Sequence, residues 1–126
     1  MAFRVEISPE AFADLDRIAT YIEVRGSFES AERWFTAILK AIETLAEMPQ
    51  RCAVAGESSD LETEVRLLLH GKRNRRYKVY FSIHEQPRTV RVLHVRHWAI
   101  EPIESDELQD LMDETAGNVG EPEERG

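Results

Sequence analysis

Residues 77–98 read YKVYFSIHEQPRTVRVLHVRHW. Two runs rich in Tyr, Val, Phe, Ile and Leu flank Glu85-Gln86-Pro87, and a proline-containing break between two such runs predicts a β-hairpin of strands 76–84 and 89–98. Successive side chains on a strand point to opposite faces. Tyr77, Val79, Phe81 and Ile83 therefore make one apolar face, while Arg76, Lys78, Tyr80, Ser82 and His84 make a basic and polar one. The second strand is apolar on both sides, with Val90 and Val92 on one and Leu93 and Val95 on the other, as expected of a strand central in its sheet. One face of this hairpin needs a cover, and the other is left free to bind.

The cover lies upstream. Residues 3–8 alternate, with Phe3, Val5 and Ile7 on one side, and predict a short strand. Ser8 caps a helix over 9–25, with Pro9 at the first helical position and Glu10 at the positive end of the helix dipole. Residues 11, 15, 18 and 22 give that helix its apolar stripe, with Phe12 alongside. Gly26 reads as a left-handed stop and Ser27 as the next cap, so the helices form an antiparallel hairpin. The second helix spans 28–47, carries Ala31, Trp34, Phe35, Ile38, Ile42 and Leu45 on one face, and stops before Pro49.

Periodicity is lost over 49–64, and 65–69 is a candidate strand. Beyond Pro102, Ser105-Asp106-Glu107 is a second capping signature, and Leu108, Leu111 and Met112 make a narrow stripe on a short acidic helix. Residues 116–126 have almost nothing to bury and are expected to be disordered. The expected fold is α+β, in the order β-α-α-β-β-β. An N-terminal strand and a two-helix hairpin accompany a mostly antiparallel four-stranded sheet, the helices packing on one face, with the short C-terminal helix and acidic tail beyond. Residues 1–103 form the domain and 104–126 the acidic appendage.

The chain of 126 residues fits a single domain. Its net charge of −8 is unevenly spread: residues 99–126 hold ten acids and one Arg, so residues 1–98 carry +1. Residues 66–98 alone hold nine Lys or Arg against one acid, Glu85, and all four histidines. Such segregation points to an interaction surface and a tail. Cys52 is the only cysteine, so no internal disulfide is possible. The first residues lack the apolar stretch of a signal peptide, and no run approaches the ~20 apolar residues of a membrane span. A cytoplasmic location without membrane contact is the expectation.

Four segments carry a resemblance beyond this pattern: FRVEISPEAFADLDR at 3–17, LAEMPQRCAVAG at 45–56, VRLLLHGK at 65–72 and the hairpin at 77–98. In order and spacing they resemble the RelE/ParE superfamily, the toxins of bacterial type II toxin–antitoxin systems, over about residues 3–98. The resemblance implies a small cytoplasmic toxin held inactive by a cognate antitoxin. One branch, ParE-like, poisons DNA gyrase; the other, RelE-like, is a metal-independent endoribonuclease that cleaves mRNA on the ribosome.

In the ribonuclease branch the family's catalytic groups are Arg or Lys on the middle strands and, after the last strand, an Arg followed by Tyr or His. Lys78 matches the middle-strand position, and Arg96 and His97 lie near the end of the last strand. These are the catalytic candidates if the protein is an enzyme. Trp98 stands about where that branch has its Arg, and no Tyr follows Tyr80. A ribonuclease needs a donor for the leaving oxygen, and only His97 is left near the right place. The incomplete set favours the gyrase-directed branch, with the ribonuclease and an inert antitoxin-binding relative as the other readings.

The surface expected to meet the antitoxin or the target comprises Arg66, Arg76, Lys78, Tyr80, His84, Arg91, Arg96 and Trp98. Clustered cations attract phosphates or an acidic protein surface, although any exposed sheet face also needs polar side chains. No metal or cofactor is expected: His94 and His97, three apart on a strand, point to opposite faces, and a hydrogen-bonded structural role accounts for one of them. The acidic tail has two readings. It either keeps a basic protein soluble or docks on Arg76, Lys78 and Arg96, with Leu108, Leu111 and Met112 as its apolar anchor.

Overall fold

The computed structural model describes residues 2–56, 64–72 and 76–98. The short acidic helix and the tail lie outside the described residues. Within them the elements run β1 (Arg4–Ile7), α1 (Pro9–Arg25), α2 (Phe28–Glu43), 3-10 turns at Thr44–Ala46 and Pro49–Arg51, β2 (Ala53–Val54), β3 (Val65–His70), β4 (Tyr77–Glu85) and β5 (Arg88–His97). No helix among the described residues is long and apolar enough to cross a membrane.

Among the described residues the sheet has five strands, in the order β1-β5-β4-β3-β2. β1 runs parallel to β5, and the other pairs are antiparallel. The expected four-stranded sheet is thus enlarged by β2, whose two residues are too few for any alternation to register in the sequence. The β4–β5 hairpin closes at Gln86-Pro87 through a cis peptide bond.

Both helices are capped as their sequences require. Ser8 Oγ accepts from Ala11 N at 3.0 Å, and Ser27 Oγ accepts from Ser30 N at 3.0 Å. Gly26 departs from expectation: its φ of −129° is not left-handed, and its N–H closes the last turn on Ile22 O at 2.8 Å. Helix α2 ends at Glu43 rather than at residue 47, and a 3-10 turn carries the chain to Met48, whose left-handed φ of 49° breaks the path before Pro49.

The main core lies between the helices and one sheet face. Ala11, Leu15, Ile38, Ile42 and Leu45 pack against Val79, Phe81, Val90, Val92 and Val95. Tyr77 joins them, with Trp34 over it at 5.2 Å between ring centroids. The expected apolar face of β4 is therefore the covered one. Strand β5 reaches it differently from a plain alternation. Phe81 pairs with Val92 and Tyr80 with His94, so Leu93 is an extra residue in a β-bulge. The bulge turns Val90, Val92 and Val95 to the helices and Leu93 to the opposite face. The apolar residues on both sides of β5 thus record a bulge as well as the strand's central position.

Phe81 has no exposed surface, whereas Trp34 is half-buried. Truncating Phe81 to Ala is expected to cost about 3–5 kcal/mol through lost transfer and a residual cavity. Trp34→Ala should cost less. Denaturation midpoints measure both, and an unchanged midpoint for Phe81→Ala would contradict the core described above.

Candidate functional site

The face turned away from the helices carries the candidate surface. Partners across a ladder share a face, which places Lys78 beside Arg96 on β5 and Leu69 on β3, Ser82 beside Arg91, and His84 beside Thr89. Glu6 on β1 adjoins Arg91, with Arg91 Nε to Glu6 Oε1 at 3.4 Å. Arg76 is exposed just before β4, and its carbonyl accepts from Trp98 N at 2.9 Å. Trp98 is 46% exposed at the end of the hairpin. Lys78 and Arg96 thus lie together, with Arg76 and Trp98 beyond them at one end of the face, while Arg91 and His84 lie toward the other end, past Tyr80.

Two of the expected surface residues are placed otherwise. Arg66 is the register partner of Phe81, so it belongs to the helix-side face. Its guanidinium donates to the carbonyls of Gln50 and Cys52 and pairs with Glu64 at 2.9 Å, which anchors the segment leading into β2. Alternation within β4 does not reach Arg66, whose face is set by the β3–β4 register, a pairing between separate segments. Tyr80 does lie on the helix-free face, but it is only 1% exposed and packs with Ala55, Val65 and Leu93. The face is therefore an apolar centre with a basic border rather than polar throughout.

The three catalytic candidates divide between the faces. Lys78 and Arg96 are paired on the helix-free side, whereas His97 pairs with Tyr77, whose ring lies edge-on to it at 5.2 Å. Tyr77 belongs to the helix-side core, so His97 is directed away from the Lys78–Arg96 pair. General acid, general base and charge stabiliser must converge on one reacting group. This arrangement does not bring the three to one place. Among the described residues no group of three or more His, Cys, Asp or Glu could hold a metal ion.

A buried polar cluster supports the surface from beneath. Asp14 of α1 has a side-chain exposure of 3%; its carboxylate accepts from Val95 N at 3.0 Å and from Arg17 at 2.7 Å, and faces His94 Nδ1. His94 Nε2 in turn lies 2.9 Å from Arg96 Nη2. Arginine only donates, so His94 Nε2 is the acceptor there and Nδ1 carries the proton toward Asp14. The cluster orients the Arg96 guanidinium through two neutral-to-charged contacts. Sequence reasoning missed Asp14 even though a signal was present. It stands between Ala11 and Ile18 in the apolar stripe of α1, a position where a carboxylate is buried only with partners.

Burial disfavours the charged form of His84, His70 and Cys52. His84 accepts the Ser82 hydroxyl at 2.9 Å if its Nε2 is unprotonated, and its pKa is lowered by burial and by nearby Arg91, against a smaller opposing effect of Glu6. Burial alone lowers that of His70. Cys52 is buried, which raises its thiol pKa despite Arg51 and Arg66, and makes it a poor nucleophile.

A family model described as the ParE toxin of type II toxin–antitoxin system, parDE, matches residues 5–102. Solved structures with the same fold include a chain of the chromosomal ParDE TA system from P. aeruginosa. That chain is 19% identical, with a TM-score of 0.62 over 76% of this chain and 96% of that one. No curated protein matches the sequence.

The two shifted histidines set a pH dependence. Both are neutral in the fold at pH values where the unfolded chain, near the ordinary 6.5, already takes up protons. Stability from this source is present above that value and is lost as the pH falls below it. Denaturation midpoints should therefore drop from about pH 7 to about pH 5, and the drop should be smaller in His70→Gln/His84→Gln. An identical slope in the variant would contradict the assignment.

Proposed function

The chain belongs to the ParE toxin family of type II toxin–antitoxin systems, and we propose from that premise that it arrests growth by binding DNA gyrase through the helix-free sheet face. The observation that carries this reading is the division of Lys78 and Arg96 from His97 across the sheet. A binding surface needs only complementary charge and shape, which Arg76, Lys78, Arg91, Arg96 and Trp98 supply together. A nuclease needs a convergent acid and base. A ParE toxin is one half of a module, so a cognate antitoxin that masks this surface is its expected partner, in line with the ParDE system of the P. aeruginosa relative. Such a toxin would work in the cytoplasm, where gyrase is found.

The ribosome-dependent ribonuclease remains the second reading, favoured by the adjoining cations Lys78 and Arg96. Arg96 would stabilise charge on a scissile phosphate, and Lys78 would act beside it. Against it, His97, the residue expected to donate the proton, is directed to the other side of the sheet.

Two experiments on one expression strain test the proposal. Lys78 has no ion pair among the described residues and Arg76 is exposed, so Arg76→Ala/Lys78→Ala removes charge with little loss of packing. Growth arrest should be abolished in that variant while its denaturation midpoint stays near that of the unaltered chain. Induction of the unaltered chain should raise DNA-damage signalling with mRNA intact. Codon-phased mRNA cuts that vanish in His97→Ala would overturn the gyrase reading in favour of the ribonuclease.

A further inference from the structure

The helix-free face is drier than a sheet with helices on one side only should be. Val65, Ser82 and Leu93 have no exposed surface there and Tyr80 only 1%, yet both helices pack on the opposite side. Side chains on an uncovered sheet face are flanked by their neighbours but keep their outer ends in water. Near-complete burial of a residue as long as tyrosine calls for a layer above it. The border of this dry patch is cationic, with Lys78, Arg91 and Arg96 around it and Arg76 at its end. Leu69, the register partner of Lys78, is 51% exposed at its edge.

We propose that the chain's own acidic segment, residues 101–114, docks on this face and covers it as an internal competitor for the site. Charge complementarity selects this occupant: the segment carries seven acids and no base. Ile103, Leu108, Leu111 and Met112 give it the apolar residues that Leu67, Leu69, Tyr80 and Leu93 would accept. A helix over 105–115 would be about 16 Å long, which spans about three strands at their ~4.8 Å spacing. The segment starts only a few residues after β5, whose final residues lie beside Lys78. Tethering at that distance gives an effective concentration of about millimolar, so a weak intrinsic affinity suffices for substantial occupancy. Because exposed charge pairs are screened beyond about 10 Å at 0.1 M salt, occupancy falls as salt rises.

Docking stands on burial and charge. Only its consequence, that antitoxin and target must displace the segment, rests on the gyrase-binding surface proposed above. The chain has three lysines, Lys40, Lys72 and Lys78, which makes a zero-length test possible. A carbodiimide joins a carboxylate to a lysine amine only where the two touch, with loss of water, and peptide mass spectrometry then identifies the pair. In the full chain at low salt, carboxylates of residues 101–114 should join Lys78 at least several-fold more often than Lys40 on α2, and the excess should vanish at high salt. Leu108→Ser/Leu111→Ser/Met112→Ser should reduce the Lys78 product several-fold, since the apolar anchor is lost without altering any described residue. Equal yields at Lys40 and Lys78, or a Lys78 product indifferent to the triple substitution, would overturn the proposal. So would Lys78 joined mainly to Glu57, Asp60 or Glu62, which would assign the cover to the segment between β2 and β3. The outcome is independent of toxicity, so it separates failure of docking from failure of the gyrase reading.

Discussion

The carboxylate of Asp14 is the point on which the two layers of this protein depend. Strand β1 pairs with β5 only as far as Ile7 and Val92, and beyond that register the edge of β5 would be left without partners. Helix α1 supplies them. Ser8 N donates to Val92 O at 3.0 Å, Ser8 Oγ donates to Leu93 O at 3.2 Å, and Asp14 accepts from Val95 N at 3.0 Å. An edge that cannot reach water must be satisfied from within, because an orphaned buried amide costs roughly 1–3 kcal/mol. The same contacts fix the angle at which α1, and hence the helical hairpin, lies on the sheet.

That edge is also where the bulge at Leu93 falls. The extra residue lets β5 present Val90, Val92 and Val95 to the helices and Leu93 to the far side, so one strand contributes to both apolar clusters. It also brings His94 between Asp14 and Arg96. Core packing, edge satisfaction and the orientation of a surface guanidinium are thus joined through three consecutive residues, Leu93 to Val95. A ParE-family toxin that acts by binding needs a rigid face, and this linkage makes the face an extension of the core.

Much of this was legible in the sequence because it follows from local rules. The helix starts at Ser8 and Ser27 follow from capping, the apolar face of β4 follows from alternation, and the hairpin break at Gln86-Pro87 follows from its proline. What could not be read depends on pairing between distant segments. Arg66 belongs to the helix side because it faces Phe81, and Tyr80 is buried because Val65 and Leu93 meet it. Neither fact is encoded within the strand that carries the residue. Asp14 lies between these cases: its place in the α1 stripe marked it for burial, but its partners at positions 94 and 95 are about eighty residues away.

Contact between the helix-free face and gyrase, as proposed, is open to a reconstituted supercoiling reaction. Purified chain added to DNA gyrase, ATP and relaxed plasmid should stall the enzyme with cleaved, protein-linked DNA. Arg91→Ala/Arg96→Ala should lose that effect, and pre-incubation with the cognate antitoxin should prevent it. Supercoiling that proceeds unchanged at a several-fold molar excess of the folded, antitoxin-free chain would contradict the account.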